Sequence, residues 1–303
     1  MTAADAQADQ AALDAATFTP DAHALPAPVA PYLSNQIGCS ELCSLMIALG
    51  TDEGMPDDVR AWMVTARERA SYGRKSKKVP QHLKSPALAG PVWAVDNAAS
   101  VRTPFGIMPY CIAVKAGVRE RDGQLDYQKA GVDLEATLWA RWVASLRLDE
   151  GCALDVDSLV SQHEILARYP SEWNVRAPSV RHPEEVRLVT YLDGWGRDVV
   201  GERVVCNAKL SRDWKERPDV PAWIQMQGEI ACTRASLGLL IYGQKWNADY
   251  MQEEPQDRGP IAPFPIEPDA SAERAILVTV ARAFERIDSI RAEMLEAKRK
   301  VAA

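Results

Sequence analysis

Two apolar stretches on either side of a turn constrain this chain most. EEVRLVTYLDGW (Glu184–Trp195) and GERVVCNAKL (Gly201–Leu210) each carry the β-branched and aromatic residues of a strand. GRDVVGE between them supplies turn residues, so the pair is expected to be an antiparallel hairpin. Earlier in the chain, YQKAGVDLEATLWARWVASLRL (Tyr127–Leu148) repeats apolar residues every three or four positions. Leu134, Leu138, Trp142 and Leu146 share one face, which predicts a core-packed helix. After it, Pro221 opens the helix AWIQMQGEIACTRASLG, LLIYGQKW (Leu239–Trp246) reads as another strand, and Ala272–Lys298 as a long closing helix.

Upstream, SELCSLMIAL (Ser40–Leu49) reads as a short helix with Ser40 as N-cap and Gly50 as its stop. DDVRAWMVTARERA (Asp57–Ala70) reads as a second helix, and residues 85–115 as short strands and turns. Residues 1–30, rich in Ala, Asp, Gln and Pro, hold too few large apolar groups to pack and are expected to be a disordered tail. Residues 31–303 are then expected to form one domain. The order of helices and strands points to an α/β or α+β fold with a mixed sheet.

Composition removes several function classes. A net charge of -7 argues against a surface coated with basic residues for nonspecific nucleic-acid binding, while leaving a local basic groove open. No apolar run approaches the length of a membrane span, and the acidic N-terminus has neither signal nor transit character, so a cytoplasmic, membrane-free protein is expected. The six cysteines form no C-x-x-C pair, and no two histidines have metal-ligand spacing, which disfavours zinc sites and iron–sulfur clusters. Neither a G-x-S-x-G elbow nor a P-loop is present.

The polar chemistry sits on the hairpin. Asp193 ends TYLD before Gly194, and Lys209 ends VVCNAK, so pairing these strands brings an acid and an amine to one rim of a sheet. Taken alone, this is also what an ordinary Asp-Gly turn and a strand-ending lysine look like. Several other polar groups also have two readings. GRKSKKVPQHLK (Gly73–Lys84) is a solvated loop or a phosphate-contacting one, and His182 a loop residue or a phosphate contact. His163 reads as a helix-surface residue, and His23 lies in the tail. Trp214 would stack on an unpaired base or pack beneath its loop, beside a small basic rim of Arg212, Lys215 and Arg217.

The order of motifs resembles the YqaJ-like viral recombinase nucleases, relatives of lambda exonuclease in the PD-(D/E)xK superfamily. IGCSELCSLMIALG is similar to that family's opening Gly-x-Ser helix, and Gly131 with Glu135 in AGVDLEATLW to its Gly-x-x-x-Glu helix. TYLDGW supplies the aspartate, VVCNAK the lysine, and Gln225 and Gln227 in WIQMQGEIACTRA look like its Gln-x-Gln helix. The likeness covers residues 37 to about 250, with a departure over 51–120.

The resemblance implies a restriction-endonuclease-like α/β core, a mixed sheet flanked by helices. It also implies a metal-dependent DNA exonuclease of the phage recombination type acting on duplex ends. Glu135 and Asp193 would hold Mg²⁺, with Mn²⁺ as the alternative. Lys209 would orient or deprotonate the attacking water or stabilise transition-state charge, and Gln225 would hold the lysine or the substrate backbone. The implied partners are DNA and a single-strand annealing protein, and some relatives assemble into rings. One position departs from the pattern. The family places an acid two residues before the lysine, where this chain has Asn207. Either Asn207 ligates through its carbonyl while Glu229, four residues after Gln225 on the same helix face, supplies the missing charge, or the site is silent and the protein only binds DNA.

Overall fold

A computed structural model of the protein describes residues 36–73, 78–83, 93–122, 126–149, 151–161, 174–178, 186–211, 215–244 and 260–302. The N-terminal tail, the centre of the basic run, Arg212, Trp214, His23, His163 and His182 lie outside the described residues.

In chain order, β1 (Ile37–Gly38) leads through a single 3₁₀ turn into α1 (Leu42–Leu49), which ends at Gly50 in the left-handed region (φ 66°). The predicted stop is therefore observed, but Ser40 does not cap. It is exposed, and the Glu41 carboxylate accepts the Gly38 N–H instead. α2 (Asp57–Ser71) follows, then α3 (Trp93–Ala98), the hairpin β2 (Ser100–Thr103) and β3 (Gly106–Pro109), and α4 (Tyr110–Ala116). The stretch expected to hold only strands and turns thus contains two short helices as well. α5 (Asp126–Leu146), β4 (Leu154–Ser161), β5 (Asn174–Pro178), β6 (Val186–Tyr191), β7 (Gly194–Asp198) and β8 (Arg203–Ser211) come next. The chain closes with α6 (Val220–Thr233), β9 (Leu237–Gln244), β10 (Ile261–Ile266) and α7 (Ala270–Ala302).

Five strands form a mixed sheet in the order β10-β9-β8-β7-β4. β7 and β8 are the predicted antiparallel hairpin, with Gly194 opposite Cys206. α6 carries the chain across so that β9 lies parallel to β8, Asn207 beside Leu240 and Lys209 beside Tyr242. β10 pairs antiparallel with β9 and carries the exposed Pro263 and Pro265. A second sheet sets β6 between β1 and β5.

The segment predicted as one strand over 184–195 is two strands in different sheets, separated at Leu192 and Asp193. Leu192 is buried, and the Ala208 N–H donates to the Asp193 carboxylate, so a side chain replaces the ladder at the break.

Strand alternation sorts two cores. Val204, Cys206, Ala208, Leu239 and Ile241 face Leu138, Trp139 and Trp142 of α5. Val205, Leu240 and Tyr242 face a larger core built with α1, α6 and α7. Fully burying each such large side chain stabilises by about 1.5–3 kcal/mol, so both helical layers are held firmly on the sheet. α7 buries Ala272, Ile276, Thr279, Val280, Ala283, Ile287 and Ile290 at three- and four-residue spacing. Its start is anchored by Asp269, whose carboxylate accepts the Ser271 and Ala272 N–H groups.

Candidate active site

The break at Asp193 is held open by a glycine. A Cβ on Gly194 would run into the indole ring of Trp139, so only glycine lets α5 lie this close to the start of β7. Glu135 stands one helical turn before Trp139, on the same side of α5. The Trp139–Gly194 contact therefore delivers Glu135 to the end of the sheet where Asp193 sits. Both carboxylates are half-buried.

On β8, Asn207 and Lys209 alternate with Cys206 and Ala208, so they share the face of Val205 and look toward α6. Asn207 is 1% exposed and Glu229, on α6, is 0% exposed. The Asn207 amide Nδ2 donates to Glu229 Oε1 at 2.9 Å, and Gln225 Nε2 donates to the same oxygen at 2.8 Å. The 225/229 spacing on one helix face is thus realised as a hydrogen bond. Gln225 engages Glu229, where the resemblance implied a hold on Lys209 or on the substrate backbone. Gln227 takes no part: it donates to the Glu267 carbonyl and accepts the Asp269 N–H, tying α6 to the start of α7.

These groups act on one another electrostatically. Burial pushes the Glu135 carboxyl up to about 7, with Lys209 opposing the rise and Asp193 adding to it. Asp193 is likewise raised by burial, against the pull of Lys209 and the Ala208 N–H. Glu229 is pushed up to about 8 by burial and by Asp193, while Lys209 and its two amide donors draw it back. Three desolvated carboxylates and one lysine thus share a single field, and burial leaves the carboxylates short of positive charge.

Two oxygens complete the description. Glu229 Oε2 and Asn207 Oδ1 are both buried without a hydrogen-bond partner. Leaving a buried acceptor unsatisfied costs about 1–3 kcal/mol, more for a charged one. A hard divalent cation, which takes oxygen ligands from carboxylates and amide carbonyls alike, suits this donor set. Among the described residues no three His, Cys, Asp or Glu side chains gather into a metal-holding group.

The basic rim is altered. Lys215 is held by Asp219 at 2.8 Å within its own loop, leaving less free charge for phosphate than the sequence suggests. Trp139 is a core residue of α5 whose contact with Gly194 gives it a positioning role as well. The signal for its positioning role was its place one turn after Glu135 and the glycine directly after Asp193.

No protein-family model matches the chain, and no curated protein matches its sequence. Among solved structures, an alkaline exonuclease from Laribacter hongkongensis overlaps 90% of this chain and 96% of its own at 15% identity, with a TM-score of 0.41. The same exonuclease in complex with dAMP overlaps equally, at 16% identity and a TM-score of 0.43. A phage-related exonuclease from Haemophilus somnus overlaps 63% of this chain and 86% of its own at 15% identity and a TM-score of 0.40. Among the described residues, no helix is long and apolar enough to cross a membrane.

Proposed function

We propose that this protein is a metal-dependent deoxyribonuclease with a restriction-endonuclease-like core, an exonuclease of the phage recombination type that hydrolyses phosphodiester bonds at duplex ends. One observation carries the reading. Glu135, Asp193, Glu229 and Lys209 bear on one another at one end of the β7–β8 hairpin, beside two buried oxygens that lack a donor.

Asp193, Asn207 and Glu229 would hold Mg²⁺ or Mn²⁺, with Glu135 at the margin from α5. The ion supplies Lewis-acid polarisation of the scissile phosphate and a lowered pKa for water. Lys209 supplies the fixed positive charge, oriented toward α6, that stabilises the oxyanion developing on phosphorus or steers the attacking water. Trp139 keeps Glu135 in place by packing on Gly194. DNA is the proposed substrate, a single-strand annealing protein the proposed partner, and the cytoplasm of a bacterium or phage-infected host the proposed setting. Assembly into a homo-oligomer around the duplex belongs to the same proposal.

The test is digestion of matched linear and circular duplex DNA with millimolar Mg²⁺ or with chelator. Loss of linear DNA alone, only with metal, supports the exonuclease. Cleavage of circles would make it an endonuclease. Binding without cleavage would favour the silent DNA-binding form to which Asn207 points.

A further inference from the structure

The amide at Asn207 stands where the resembling nucleases carry an acid, and its contacts show how the exchange is accommodated. A cation takes Glu229 in its ionised form, which can only accept hydrogen bonds, so in that state the Asn207 NH2 must face it. Turning the amide over would set oxygen against oxygen at 2.9 Å. The bond therefore decides which end of Asn207 is left over, and it is the carbonyl oxygen Oδ1. Gln225 donates to the same Glu229 oxygen from one turn earlier on α6. With both donors on Oε1, Oε2 is the oxygen of Glu229 that remains free. Two amides thus select two acceptors, one on β8 and one on α6.

We infer that Asn207, Glu229 and Gln225 form one positioning unit that presents Asn207 Oδ1 and Glu229 Oε2 as a preset pair of ligands, and that it requires one acid and one amide in contact, whichever strand or helix bears the acid. The inference rests on the metal-dependent reading above. In it, Gln225 touches neither ion nor substrate, and acts by fixing the carboxylate through a hydrogen bond that orients a ligand. Replacing Asn207 with an acid while Glu229 remains would set two carboxylates on one hydrogen-bond contact. Exchanging the two together keeps both volume and charge: the carboxamide then donates from α6 to a carboxylate on β8.

Calorimetric titration of the full-length protein with Mn²⁺ in the absence of DNA tests this, with paramagnetic resonance of the bound Mn²⁺ as a second readout. Glu229→Gln should weaken Mn²⁺ binding by more than tenfold. Gln225→Leu should weaken it by roughly tenfold at unchanged stoichiometry, the lower end of what removing a ligand-orienting partner does, and should broaden the resonance spectrum. The double variant Asn207→Asp/Glu229→Gln should recover binding to within about threefold of wild type. Thermal unfolding of the same samples shows that each is folded, and the double exchange is near-isosteric.

Wild-type affinity in Gln225→Leu, or a double variant as weak as Glu229→Gln, overturns the positioning unit. In that event a loss of Mn²⁺ binding in Asp193→Asn would still uphold the metal-dependent reading. A wild type that binds no Mn²⁺ overturns both.

Discussion

Glu229→Gln should make the metal-free protein more stable while removing its response to cations. The carboxyl is fully buried, and burial pushes it up to about 8 from an ordinary value of 4.5. Between those two values the folded state holds a proton that the unfolded chain has released, so stability falls as pH rises through that window. At about 1.4 kcal/mol per tenfold change, the loss accumulated by pH 7.5 is on the order of 4 kcal/mol. Structural relaxation and the contribution of Asp193 to the same rise bring the expected gain of the glutamine variant to about 2–3 kcal/mol at that pH. At pH 4.5 and below the two proteins should differ little. The glutamine oxygen keeps both amide donors, so no new cavity offsets the gain. The assay is urea unfolding in chelator at pH 4.5, 6 and 7.5, followed by repetition with excess Mg²⁺ at pH 7.5. Wild type should regain stability with the cation, by about 2.7 kcal/mol at a hundredfold excess over its dissociation constant. The variant should gain nothing. A stability difference that is the same at all three pH values, or a variant less stable at pH 7.5, would refute the argument.

Three further changes probe the same end of the hairpin. Lys209→Ala should slow cleavage by at least roughly a hundredfold with little effect on the melting temperature, since a half-buried lysine packs little; an unchanged rate removes it from the mechanism. Asp193→Asn should abolish metal-dependent cleavage while duplex binding in a mobility-shift assay is kept or tightened, and Glu135→Gln should do the same more mildly; normal cleavage by both variants would displace the assigned site. Gly194→Ala forces its methyl into Trp139 and should cost about 1–3 kcal/mol in denaturant unfolding, together with lost activity because Glu135 moves with α5; a fully stable, active variant would show that the contact does not position Glu135.

The sequence foretold the hairpin because alternating apolar residues and a glycine-bounded turn are local signals. Asp193 and Lys209 follow from it, since pairing β7 with β8 puts both at one rim. The break at Leu192–Asp193 was not legible. It depends on a backbone donor at Ala208 and an indole on α5, neither visible in TYLDGW. β1 is two residues long and has no period to detect, so the second sheet escaped notice, and β4 and β5 were missed with it. Gln225 and Glu229 were legible as neighbours on a helix face. That Asn207 donates to Glu229 from 22 positions away is a fact of packing, so the sequence shows its amide as a carbonyl ligand or a missing charge but not as a hydrogen-bond donor to that helix. Lys215 illustrates the opposite error. Its charge was obvious, but Asp219, four residues on, neutralises it.

The prolines of β10 bear on how copies of this chain can meet. β10 stays in register with β9 from Ile261 to Ile266, which proline permits only where its nitrogen faces away from the partner strand. The outer side of β10 therefore offers no N–H at positions 263 and 265, and a foreign strand arriving there would find ring methylenes where it needs donors. At the opposite margin, β4 slips register against β7 between Asp155 and Val160 and exposes Asp155 and Asp157, so a second copy would meet like charge on a bent template. Both margins of the five-stranded sheet thus resist templated growth into longer sheets. The hairpin that bears Asp193 and Lys209 lies inside a sheet whose own margins do not invite a further strand.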